Sequence, residues 1–465
     1  MAIDLNRPLA WRRAAPAEQA LLNDLQGNIL KSHGRPYAAH MFLQFANEGR
    51  EEIRAFVRSL SAELPSAAQQ LREAEAFRQT RSSQGPFSAF LLSADGYRAL
   101  GIPESDLPGD AGSAFRLGMK ARREALRDPA IDAWDAPFQQ AVHAMYLVAG
   151  DAEEVNRECA KTLARLPAQI RLLCIERGRV YKNANEDGIE HFGYVDGRSQ
   201  PLLLIEDLER ERTAAGGTSV WDPAVPLSHV LVPCPGGVPG VSFGSFLVFR
   251  KLEQNVRGFK EREEELADRL GLTGEDRERA GALVIGRFED GTPITLQPED
   301  GLHHPVPNDF TFADDPAGRK CPFQAHIRKA NPRGDTVRRH GAPPECERSH
   351  LLVRRGIPYG DRKVDEKTSE FTDSPPGGVG LLFMNYQRSI ENQFEFAQQA
   401  MANAPDFPVP QTGIDPITGQ GTGPVPRWPV EWDGESTQPF DFAGFVTLRG
   451  GEYLFAPSLS FLREL

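Results

Sequence analysis

Apolar residues along the chain fall into short runs and helical stripes that alternate in a regular order. Ala38 to Phe45 (AAHMFLQF) predicts a buried strand. Ile53, Phe56, Val57, Leu60 and Leu64 then recur at helical spacing among Glu, Arg and Ser, the pattern of an amphipathic helix. Phe87 to Leu92 (FSAFLL) predicts a second strand and Ala141 to Val148 (AVHAMYLV) a third, with the mixed, charged residues 93–137 read as short helices and loops. A second amphipathic helix places Val155, Cys159, Leu163 and Leu166 on one face, and Ile170 to Ile175 predicts a fourth strand. The order is β-α-β-β-α-β, a ferredoxin-like pattern.

A Gly- and Pro-rich stretch from Gly216 to Gly240 then interrupts the pattern. From Gly244, GSFLVFRKLEQN predicts a strong strand, and Asn255 to Leu270 a charged helix with Val256, Phe259 and Leu266 on its apolar side. Residues 281–339 are rich in turn formers and show little periodicity. Ser349 to Val353 predicts a short strand leading to Arg354, Gly380 to Tyr386 another, Ser389 to Met401 a helix, 404–430 a long loop, and Gly451 to Phe455 a last strand. The second half thus repeats the first with long insertions. The expected class is α+β: two ferredoxin-like domains with antiparallel sheets, over residues 1–215 and 216–465.

Composition narrows the classes of function. The 465 residues carry a formal net charge of −12, which argues against a nucleic-acid surface, since that needs a concentrated basic face. Cys159, Cys174, Cys234, Cys321 and Cys346 are odd in number and scattered, with neither disulfide-framework nor zinc-site spacing. No export signal opens the sequence, and no run approaches the roughly 18 apolar residues of a membrane span. A cytoplasmic protein, with no membrane partner, is expected.

Three stretches offer chemistry. CPFQAHIRKANPR, from Cys321, holds His326 beside basic residues and ends at Asn331-Pro332. A neutral imidazole suits haem iron; Arg328 and Arg333 read either as a solvated face or as partners for haem propionates. HLLVRRGIPYG holds Arg354 and Arg355 at the end of an apolar strand, where a cation needs an anion or an ion pair. FGYVDG, from Phe192, holds Asp196 between Gly193 and Gly197, a turn aspartate or an acid.

Together with LQGNILKSHGR near the start, FGYVDGRSQP, GSFLVFRKLEQN and GLLFMNYQRSIENQF, these motifs resemble the dye-decolorizing peroxidases, a haem enzyme family, from about Leu25 to Tyr453. The length and the lack of an export signal resemble the longer intracellular bacterial members. The resemblance implies one haem b per chain, held between sheet and helices of the second domain, with His326 as iron ligand and Asp196 and Arg354 as catalytic groups. It implies Leu381 and Phe383 as apolar pocket residues; their i, i+2 spacing puts both on one strand face, where ordinary core is the other reading. Glu391 is expected as the acid behind His326, with Glu395 as competitor. Tyr359 matches a surface-radical position or is structural; Trp428 and Trp432 are further candidates. The implied function is peroxide reduction coupled to one-electron oxidation of bulky aromatic donors by a monomer or homodimer. The rival is a non-catalytic haem-binding or haem-handling protein, which would need His326 without the distal pair.

Overall fold

A computed structural model describes residues 3–109, 112–214, 217–302 and 305–465 of the chain. In the first half, β1 (Tyr37–Phe45), α1 (Arg50–Ser61), β2 (Phe87–Leu92), β3 (Ala144–Gly150), α2 (Ala152–Arg165) and β4 (Ile170–Arg179) follow one another. All pairings are antiparallel, in the order β4-β1-β3-β2. This is a ferredoxin-like sheet. α1 stops at Ser61, short of Leu64, and Ala67–Thr80 adds a helix to the crossover. β3 starts later than the apolar run suggests, because the Ser93 hydroxyl takes the carbonyls of Val142 and His143 at 2.6 and 3.4 Å. On α2 the buried stripe is Val155, Cys159 and Thr162, and Leu163 points outward, 39% exposed.

The second half contains β5 (Phe243–Gln254), α3 (Val256–Leu270), α4 (Glu278–Ile285), α5 (His326–Ala330), β6 (Val353–Arg354), β7 (Ile357–Tyr359), β8 (Gly380–Gln387) and β9 (Val446–Ala456). β6 and β7 share one register on β8, Arg354 facing Asn385 and Ile357 facing Leu382, so they are one strand interrupted at Arg355-Gly356. The order β9-β5-β8-β7 repeats the ferredoxin-like plan. The expected helix from Ser389 to Met401 is present as two π-helical segments, Ile390–Glu395 and Ala397–Ala402. The expected division at 215/216 falls outside the described residues.

The two sheets meet edge to edge. Leu92 pairs with Phe455 and Gly178 with Tyr359, which closes the strands into a ring, β9-β5-β8-β7-β4-β1-β3-β2. Inside the ring Phe249 of β5 packs on Phe42 and Phe138, ring centroids 4.7 and 5.8 Å apart. Both faces of β5 are therefore covered, and every residue from Phe243 to Arg250 is buried. Its other face, with that of β8, becomes one wall of the main cavity. All five cysteines are unpaired, and among the described residues no helix is long and apolar enough to cross a membrane.

Candidate haem site

The main cavity encloses about 260 Å³ between the sheet wall and α5. Strand register builds the wall: Leu381 lies opposite Leu252 and Phe383 opposite Arg250, so the four share one face. Arg250 is buried on this wall and held by both carboxylate oxygens of Asp128, at 2.5 and 2.8 Å.

His326 opens α5, a helix of five residues that ends where Asn331 precedes Pro332 and must leave the helical region. Nδ1 of His326 lies 2.8 Å from Oδ2 of Asp415, which is fully buried. Oδ1 of Asp415 accepts the N–H groups of Ile417 and Thr418 at 2.8 and 3.0 Å. An acceptor at this position fixes the proton on Nδ1 and leaves the Nε2 lone pair free toward the cavity. Burial disfavours the imidazolium, but the charge and hydrogen bond of Asp415 outweigh it and hold His326 above the ordinary histidine pKa. Burial would likewise raise Asp415, and the charge of His326 with the three donors keeps it below the usual carboxylate range.

The FGYVDG loop supplies Asp196 to the same cavity. Gly197 takes a φ of +80°, open to glycine at little cost, and its N–H donates to Oδ1 of Asp196 at 2.6 Å. Arg354, on β6, donates from its guanidinium to Oδ1 of Asp196 at 3.0 Å, and its backbone N–H is held by Oε1 of Gln200 at 3.1 Å. Asp196 and Arg354 also line a smaller cavity of about 170 Å³ that reaches Ser32, Gln200 and Gly356. Arg355 borders it too and makes no ion pair among the described residues: it donates to the carbonyls of Asn28, Ile29 and Arg354.

On another side of the main cavity, Arg333 and Arg287 are buried and donate to Ser199 Oγ and to carbonyls. Among the described residues no carboxylate pairs with either. Burial, and then the neighbouring arginines, push Arg287 down to about 9 and Arg333 well below the usual guanidinium value. Such a pair awaits an anion. No group of three or more side chains fit to hold a bare metal ion occurs among the described residues. One cavity-facing imidazole, backed by a carboxylate, beside buried cations without counterions, fits a haem with its propionates.

No family model matches the chain. Over its whole length it is 47% identical to the multifunctional dye peroxidase DyP2 of Amycolatopsis sp., all of which is covered. The chain belongs to the dye-decolorizing peroxidase family. It is therefore a haem-binding oxidoreductase that acts on peroxide. Dye-decolorizing peroxidase msp1 of Mycetinis scorodonius is 32% identical over 98% of this chain and 90% of its own. The solved structure of Amycolatopsis DyP2 superposes with a TM-score of 0.93 at 45% identity, covering all of both chains. The DyP-type peroxidase of Anabaena sp. does so at 0.92 and 39% identity, over 99% and 98%.

Within this dye-decolorizing peroxidase, the structure brings His326, Asp196, Arg354, Leu381, Phe383 and Arg333 to one cavity. Two expectations fail, those for Glu391 and Arg328, and of the two readings of Tyr359 burial favours the structural one. Glu391 is not behind His326: it accepts the N–H groups of Ser113 and Ala114, at the start of a short helix. Its competitor Glu395 is held by Arg122 and Tyr453. Arg328 is fully buried and satisfied by Asp315 and Asp335, so it faces no propionate. Tyr359 is not at the surface: it is 7% exposed, beneath Lys251. Trp428 is buried as well. Two residues were not anticipated. Arg287 lies in the aperiodic middle of the chain. Asp415 lies in the Pro-rich 404–430 stretch, where Asp-Pro followed by two captured N–H groups is a turn signal that hints at a fixed carboxylate.

Proposed function

We propose that the chain is a haem b peroxidase, one haem per chain, with His326 as iron ligand, that reduces hydrogen peroxide and oxidises bulky aromatic donors such as anthraquinone dyes and phenols. The observation that carries this is one cavity lined by His326, backed by Asp415, and by the contacting pair Asp196 and Arg354. When bound, haem supplies the redox centre that takes two oxidising equivalents from peroxide and releases them to donors one at a time. Arg333 and Arg287 would hold its propionates.

Asp196 takes the proton from the oxygen of peroxide that approaches the site and returns it to the outer oxygen as that leaves as water. Arg354 stabilises the negative charge that develops on the outer oxygen. Leu381 and Phe383 keep bulk water from the pair. The smaller cavity beside Asp196 and Arg354 suits entry of a molecule as small as peroxide. Bulky donors do not fit it, and electrons from them enter at the haem edge or through the protein surface. A cytoplasmic monomer or homodimer is the form we expect. The haem-handling alternative has no use for an acid and a guanidinium held 3.0 Å apart, and this contact favours the peroxidase.

The test is spectroscopic. The haem-loaded protein should show an intense Soret band that shifts on one equivalent of peroxide. His326→Ala should lose or alter the resting band. Asp196→Asn and Arg354→Leu should each slow the peroxide-dependent shift about 10²- to 10⁴-fold in stopped flow. Wild-type rates in both variants would remove the pair from the reaction.

A further inference from the structure

The helix that carries His326 carries a second buried group one turn further on. Lys329 has 0% exposure, and its Nζ donates to the carbonyls of Ala404 and Gly413 at 2.7 and 2.8 Å. Among the described residues it makes no ion pair. Gly413 stands two residues before Asp415, whose own N–H donates to the carbonyl of Ala402 at 2.8 Å. The segment from Ala402 to Asp415 is thus tied to α5 twice, once through the imidazole of His326 and once through the ammonium of Lys329. Positions i and i+3 place both on one side of the helix. A buried cation without a contacting counterion is costly, and an apolar side chain of the same size would fill the space more favourably. Stability therefore does not account for a lysine here.

We propose that Lys329 is a positioning residue for the Asp415–His326 pair. It holds the 402–415 segment so that Oδ2 of Asp415 meets Nδ1–H. This rests on the reading of His326 as the axial ligand. A carboxylate behind an axial imidazole raises its basicity, and ligand basicity sets haem potential. Without Lys329 the segment is released from α5, and Asp415 no longer gives the imidazole that support.

The experiment uses the haem-loaded protein and two readouts besides activity, the Fe(III)/Fe(II) potential and the iron–histidine stretch of the ferrous form in resonance Raman. Lys329→Met should lower the stretch frequency and raise the potential, and Lys329→Arg, which keeps a cationic N–H donor, should leave both near wild type. Lys329→Gln keeps an N–H donor but falls one bond short of the two carbonyls, so it should shift both in the same direction as Lys329→Met, and it carries the test if Lys329→Met fails to take up haem. Unchanged potential and stretch in whichever of these two variants takes up haem fully would overturn the proposal, as would a stretch shifted to higher frequency. An absent iron–histidine stretch in the wild type, with a Soret band unaltered by His326→Ala, would instead overturn the ligand reading itself.

Discussion

Glu190 offers a sharp test of the electrostatics around the distal loop. Its carboxylate accepts the N–H groups of Phe192 and Tyr194 at 2.9 and 3.1 Å and the amide of Gln254 at 2.6 Å, and so ties the FGYVDG loop to β5. Burial in the cavity wall, with the charge of Asp196 adding to it, outweighs those three donors and raises its pKa from 4.5 to about 7. A carboxyl raised on folding binds its proton more tightly in the folded state. The stability this contributes is full below the unfolded value near 4.5 and is lost as pH rises through 7. A shift of about 2.5 units corresponds to roughly 3 kcal/mol. Glu190→Gln removes the titration. Like the protonated carboxyl, its amide keeps one full acceptor for the loop N–H groups, which the carboxylate serves with separate oxygens, and it adds a donor for Oε1 of Gln254, a buried acceptor without a partner among the described residues. The haem-free variant should therefore match wild type at pH 4 to 5 and exceed it progressively, by up to about 3 kcal/mol at pH 8. Urea melts of both proteins at each pH measure the difference directly, because every other titrating group cancels. A constant difference across that range would refute the reasoning.

Three further outcomes follow from particular contacts. Asp415→Ala takes the acceptor from His326 and from two backbone N–H groups, and should weaken haem binding about 10- to 100-fold in a Soret titration; unchanged affinity would detach Asp415 from the site. Arg328→Met leaves Asp315 buried without its cation and Asp335 with only Arg338, and should cost about 3–5 kcal/mol in denaturant melts; a loss of haem affinity without loss of stability would restore a propionate role. Tyr359→Phe removes a buried hydroxyl that lacks a partner among the described residues, and should leave dye turnover unchanged and stability equal or up to about 1 kcal/mol higher; a selective loss of bulky-dye turnover would make it an electron relay.

The repeated ferredoxin-like order was legible because most of its strands, β4 excepted, are buried on both faces and its helices on one, so burial writes the period into the chain. Phe87–Leu92 matches to the residue, and β3 holds six consecutive apolar residues, Ala144 to Ala149, for the same reason. Residues placed by motif also came together, His326, Asp196 and Arg354 among them. What stayed hidden was set by tertiary contact alone. Glu391 and Asp415 are both acids near turns or helix starts, and nothing local says which of them faces an imidazole. Arg328 and Arg333 sit five residues apart in one basic run, yet Asp315 and Asp335 neutralise the first and leave the second free for an anion. Tyr359 reads equally as a surface-radical position or as a structural tyrosine, and only the closure of the ring buries it.

That closure bears on the site as a whole. Asp196 follows the last strand of the first sheet, whereas Arg354 and His326 belong to the second half, so their geometry depends on how the sheets meet. The backbone does little to set this, since each seam has a single register pair, Leu92 with Phe455 and Gly178 with Tyr359. Side chains do more. Lys251 of β5 reaches Glu176 of β4 at 2.9 Å across the ring, and Phe42 of β1 meets Phe249 of β5 edge-on. At the second seam a Cβ on Gly178 would come within 2.4 Å of Ile357, so the strands approach more closely there than any larger residue would allow. Ile357 continues the register of Arg354 along β8, and the tight seam therefore fixes, through one strand, where the guanidinium stands relative to Asp196. Packing inside the ring, remote from the cavity, is what keeps an acid from one half and a cation from the other in contact.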